Sequence, residues 1–139
     1  MKTKKRIVML IDGENIGAKR NGEISRICKE RGEVYESKVY HRQKDMATRQ
    51  WSEECRKSKM KDICLYGGPC KNKVDKKIQE DAKRYMKASD VDVICIVTSD
   101  GDFARLKKIA KTSGKKILFI GEKKAPEKLR KAGCFVELK

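Results

Sequence analysis

Apolar residues fall into three short uninterrupted runs, Ile7 to Ile11, Val93 to Val97 and Ile117 to Ile120, separated by stretches in which they recur every three or four positions. The first spacing suits strands buried on both faces and the second suits amphipathic helices. The pattern predicts strands near 6 to 11, 34 to 40, 62 to 66, 92 to 98, 116 to 120 and 134 to 138. Helices are predicted near 23 to 31, 46 to 59, 73 to 88, 103 to 113 and 125 to 132. Gly17, Asn21 and Gly22 interrupt the first helix and predict a long loop after Asn15. Strands and helices that take turns imply an α/β fold, a Rossmann-like three-layer α/β/α sandwich with a mostly parallel sheet. Strands one, four and five belong in its middle. Strand two, with Glu36 and Lys38 among Tyr35, Val39 and Tyr40, is more exposed, which favours the order 3-2-1-4-5.

That order puts the switch point between strands one and four, where open α/β sheets bind their ligands. Both strands run into acidic loops, Asp12-Gly13-Glu14-Asn15 and Ser99-Asp100-Gly101-Asp102-Phe103, so the topology brings together aspartates distant in sequence. Asp12 suits a metal carboxylate, with Gly13 freeing the backbone and Asn15 holding the carboxylate or a substrate oxygen. An Asp-Gly turn with Asn15 as a helix cap accounts for the same residues. In the second loop Ser99 and Asp102 read as a helix cap and its dipole partner, which gives no reason for Asp100. Two carboxylates one residue apart repel unless a positive charge lies between them.

The third predicted helix carries an apolar stripe, Val74, Ile78, Ala82, Tyr85 and Met86. Asp81, seven residues after Val74, projects about 20° from it and must face inward, where a carboxylate needs a cation, a helix N-terminus or a metal. Asp75 lies in the first turn, three residues after Asn72, and can serve the helix dipole alone.

Composition then names the partner. The 139 residues hold 36 Lys+Arg against 20 Asp+Glu, a net charge of +16, in a length that suits a single domain over 1–139. Such a body favours phosphate-rich partners, nucleic acid first. Basic residues follow the strand ends on the acidic edge: His41, Arg42 and Lys44, then Lys71 and Lys73, then Lys123 and Lys124. This rim can hold a single strand's backbone while Tyr40, Tyr66 or Trp51 stacks on a base, although Trp51 reads equally as core. One histidine excludes a paired-histidine ribonuclease mechanism. The six cysteines show no zinc spacing or disulfide framework, and no run is long enough to span a bilayer, so a cytoplasmic location is expected. Phosphate-binding and dinucleotide-binding glycine motifs are lacking, which sets aside ATP and NAD chemistry.

Taken in order, Asp12-Gly13-Glu14-Asn15, Lys73-Val74-Asp75 with Asp81 six further on, Ser99-Asp100-Gly101-Asp102-Phe103 and Gly114-Lys115-Lys116 resemble the NYN domain, the LabA-like branch of the PIN-like nuclease superfamily. The resemblance covers nearly the whole chain. It implies metal-dependent cleavage of RNA, with Asp12, Asp75, Asp100 and Asp102 as catalytic metal-holding residues and Asn15, Ser99 and Asp81 in support. Asn72, where relatives often have glycine, and Glu14, in a variable slot, depart from the pattern.

The function expected is that of a Mg2+- or Mn2+-dependent ribonuclease acting on single-stranded RNA, because an aspartate cluster without His or Cys suits hard cations. Asp12 and Asp100 are expected as central ligands. Arg42, Lys44, Lys71, Lys73, Lys123 and Lys124 are expected to bind RNA phosphates without reading sequence, which leaves target choice to a homodimer or protein partner. A non-catalytic RNA-binding module keeps the rim without the chemistry. An aspartyl phosphatase wants a second Asp where this chain has Glu14.

Overall fold

A computed structural model of the chain describes residues 4–42, 46–65 and 73–139. Tyr66, Lys44, Lys71 and Asn72 lie outside the described residues. Six strands form one sheet: β1 (Arg6–Asp12), β2 (Glu33–Arg42), β3 (Lys61–Leu65), β4 (Val93–Val97), β5 (Lys116–Gly121) and β6 (Cys134–Glu137). Their order is β3-β2-β1-β4-β5-β6, and every pairing is parallel. The expected 3-2-1-4-5 order is therefore observed, with β6 added beside β5. The helices are α1 (Asn21–Lys29), α2 (Met46–Ser58), α3 (Lys73–Met86), α4 (Leu106–Thr112) and α5 (Glu127–Arg130).

Alternation along β1 divides the core. Val8 and Leu10 pack with Val74, Ile78, Phe103 and Leu106 under α3 and α4. Ile7, Met9 and Ile11 face the opposite way, against Ile24, Ile27 and Trp51 under α1 and α2. This two-sided burial is what the uninterrupted apolar runs require. The loop expected after Asn15 is shorter than the glycines suggested, because a 3₁₀ turn at Ala18–Arg20 leads directly into α1. Asn21 is buried at that junction and its amide donates to Glu54 of α2 at 2.8 Å, a tertiary contact that overrides its helix-breaking tendency.

The predicted helix over 103 to 113 divides into a 3₁₀ segment at Gly101–Arg105 followed by α4. Among the described residues, no helix is long and apolar enough to cross a membrane.

Candidate metal centre

β1 and β4 lie side by side, so their carboxyl ends open together at the switch point. Asp12 ends β1 on the α3 side of the sheet, following the alternation of Val8 and Leu10. It is only 4% exposed, and its Oδ2 accepts a 3.0 Å hydrogen bond from Thr98 Oγ1. Thr98 Oγ1 also accepts from the Asp100 backbone N–H at 3.1 Å, so one hydroxyl links the ends of both strands. Gly13 is needed here for closeness: a Cβ would stand 2.8 Å from the Tyr40 carbonyl oxygen, to which the Gly13 N–H donates at 2.8 Å.

Asp75, Asp100 and Asp102 each place a carboxylate oxygen within 4.8 Å of the others. Three elements converge to do this: the first turn of α3 supplies Asp75, the end of β4 Asp100, and the 3₁₀ turn Asp102. Asp12 is not one of these three, but its charge acts on Asp75. Asp100, expected as a central ligand, is thus grouped with Asp75 and Asp102.

The expected cap is also corrected. Asp100 is the N-cap, its Oδ1 accepting from the Asp102 N–H at 2.9 Å, while Ser99 Oγ accepts from the Glu122 N–H at 2.9 Å and ties the β4 and β5 loops. Asp100 therefore does have a capping role. Asn15 braces the two acidic loops, its Oδ1 accepting from the Ser99 N–H at 2.8 Å. Asp81 faces inward as its helical position required, but it is partnered by Tyr40, Lys38, Lys77 and Arg84 rather than grouped with the other three acids.

The electrostatics show a site short of positive charge. Burial first of all pushes Asp12 up to about 6, against the opposing hydrogen bond from Thr98. Asp75 is pushed up to about 7, first by burial, then by Asp12 and by a hydrogen bond and charge at Asp100. Both values exceed the unfolded carboxylate range near 4, so the folded protein binds these protons more tightly than the unfolded chain. The stability they contribute is present in acid and is lost as pH rises through about 6 and 7. Asp75→Asn should thus leave the Tm in EDTA nearly unchanged at pH 3 and raise it by roughly 3–5 °C at pH 8, about 1 kcal/mol after allowance for solvent screening. Calorimetry of both proteins at the two pH values checks this, and a gap that does not grow with pH would refute it.

The rim is only partly as expected. Arg42 ends β2 with its Nε 3.0 Å from Glu14 Oε1, Lys73 opens α3, and Lys123 and Lys124 are exposed just after β5. All four belong to the carboxyl edge of the sheet. Lys44 and Lys71 fall outside the described residues. His41 is corrected: it is buried on the other face and bonded to Asp62. Tyr40 and Trp51 are fully buried and committed to Asp81 and to the Ile16 carbonyl, so neither offers a base a stacking surface. Two residues near the acids were not singled out in the sequence, Thr98 and Lys128. Thr98 follows an apolar run as a strand end commonly does, and Lys128 arrives only through tertiary packing of α5.

The family model of the NYN domain matches residues 6–138. The chain belongs to the NYN domain family. Its fold is also similar to the crystal structure of a protein of unknown function from Vibrio parahaemolyticus, with a TM-score of 0.82 at 23% identity, covering 100% of this chain and 97% of that one. Comparison with curated proteins gives no match. Membership in the NYN family, within the PIN-like nuclease superfamily, supports a nuclease-type function, and NYN nucleases are generally dependent on divalent metal. The acidic group of this NYN domain fits such an ion: its donors are all oxygens, and Asp75 is displaced upward first by burial and then by the neighbouring carboxylates Asp12, Asp100 and Asp102.

Proposed function

We propose that this NYN domain is a Mg2+- or Mn2+-dependent ribonuclease of the LabA-like branch, hydrolysing phosphodiester bonds of single-stranded RNA. The observation that carries the reading is the convergence of Asp75, Asp100 and Asp102 within 4.8 Å, at a strand switch point, on a chain of net charge +16. Those three residues would hold the ion. When bound, it supplies the Lewis acidity that polarises a phosphodiester and activates water. Asp12 adds negative charge that acts on Asp75, and its bond from Thr98 fixes it relative to Asp100. Asn15 and Ser99 hold the two acidic loops and the β5 loop in register, and Asp81 supports α3 from its buried end. Asp75 must shed its proton before it can bind a cation, so activity should rise with pH through about 7.

Arg42, Lys73, Lys123 and Lys124 supply phosphate contacts that read no sequence, so RNA affinity falls as salt rises. Target choice then comes from a second copy or a protein partner.

The test is cleavage of an end-labelled single-stranded RNA in Mn2+, Mg2+ or EDTA, beside an Asp12→Asn, Asp100→Asn double variant purified identically. Cutting that needs metal and disappears in the variant is the expected outcome. If neither protein cuts and both shift the RNA with or without metal, the domain is a binding module and the reaction proposed here is refuted.

A further inference from the structure

We propose that Lys128 is a positioning residue of the acidic group: its ammonium balances Asp102 while the carboxylates hold no cation, and passes to an RNA phosphate once they do. This rests on the metal-dependent reading above.

The first observation is how the side chain is placed. Pro126 leads into α5 in an extended conformation, and the short helix returns the chain over the turn that carries Asp100 and Asp102. A Cβ on Gly101 would lie 2.5 Å from Lys128 Cε and 2.8 Å from Pro126 Cγ, so glycine at 101 makes room for the lysine stem against the turn. The second observation is what the head does. Lys128 Nζ lies 3.5 Å from Asp102 Oδ1, and the two side chains are 64% and 56% exposed. The stem is seated while the charge stays in water, able to change partners.

Three neighbouring cations on this edge are attached elsewhere. Arg42 lies on Glu14, Lys124 on Glu122, and Arg130 on Glu137 and the Lys123 carbonyl. Lys128 instead touches a carboxylate of the group itself. An exposed contact of this kind is weak, so a divalent ion displaces it at little cost. Lysine is also a point charge on a flexible stem with no fixed fork to break, which suits exchange between a carboxylate and a phosphate.

Opposite effects on two ligands follow. Lys128→Met keeps the stem over Gly101 and removes the charge. Its Mn2+ affinity without RNA, by calorimetric titration, should tighten about two- to fivefold, because a competing cation is gone. Its RNA affinity, by fluorescence anisotropy, should change less than twofold in EDTA and weaken about three- to tenfold in Ca2+. Lys128→Arg should stay close to the parent in both. Unchanged or weaker Mn2+ binding in Lys128→Met overturns the proposal, as does an equal loss of RNA affinity with and without divalent ion, which would make Lys128 a plain phosphate contact. A parent protein that takes up no Mn2+ overturns the metal reading itself and this proposal with it.

Discussion

Asp100→Asn is expected to lower metal-dependent RNA cleavage about a thousandfold while leaving the fold and RNA binding in place. The substitution separates two roles that the structure gives to one side chain. As N-cap, Asp100 accepts from the Asp102 N–H, and asparagine caps a helical turn about as well. As a member of the acidic group, it faces Asp75 and Asp102, and there the amide removes a full charge and a strong cation ligand. Losing several kcal/mol of charge stabilisation in the transition state, about 4, corresponds to about three orders of magnitude in rate. RNA affinity should hold or rise slightly, because the net charge becomes one unit more positive. Single-turnover cleavage in Mn2+, with anisotropy and thermal melting on the same samples, measures all three. A variant that cuts within tenfold of the parent would remove Asp100 from the reaction.

The sheet and its acidic edge were legible because burial on two faces leaves a distinct mark. The unbroken runs before Asp12 and Ser99 could belong only to central strands, and the winding of the chain then set them side by side. Asp81 was legible for a related reason: its helical position demanded an inward carboxylate and therefore partners. The contacts within loops left no such mark. Whether Ser99 or Asp100 caps a turn depends on which way each side chain leaves a sharply bending backbone, and both residue types cap well. The bond from Thr98 to Asp12 joins the ends of β1 and β4, a contact that no periodicity encodes. Lys128 reaches the site through packing between α5 and the Gly101 turn, residues far apart in sequence. Tyr40 and His41 near a strand end and Trp51 within α2 mislead in the opposite direction, because a polar aromatic suits a ligand surface or a buried hydrogen bond equally well until the layer above it is known.

The largest effect on stability should come from Asp81→Leu, a loss of about 3–5 kcal/mol, seen as a fall in Tm of roughly 10–15 °C. Asp81 is 2% exposed and joins α3 to β2: Tyr40 Oη donates to Oδ2 at 2.6 Å, Arg84 and Lys77 lie 3.3 and 3.5 Å from Oδ1, and Lys38 Nζ lies 4.0 Å from Oδ2. Arg84 and Lys77 reach solvent and lose little when the carboxylate goes. Lys38 is buried, and burial already works against its charged form, with Asp81 the foremost favourable influence on it. Leucine at 81 would strand that ammonium and the Tyr40 hydroxyl in an apolar layer, a larger penalty than the net worth of the pair itself. The double variant Asp81→Leu, Lys38→Met removes the stranded charge and should recover at least half of the lost stability, because an apolar replacement of a whole buried pair is often neutral. Chemical denaturation of the parent, both single variants and the double variant closes the thermodynamic cycle. A double variant no more stable than Asp81→Leu would mean that the carboxylate acts through Tyr40 alone. The consequence extends to the acidic site, because Tyr40 pairs with Asp12 across the sheet and its carbonyl accepts from Gly13. The same buried carboxylate that anchors α3 to β2 therefore steadies both the helix that carries Asp75 and the strand end that carries Asp12.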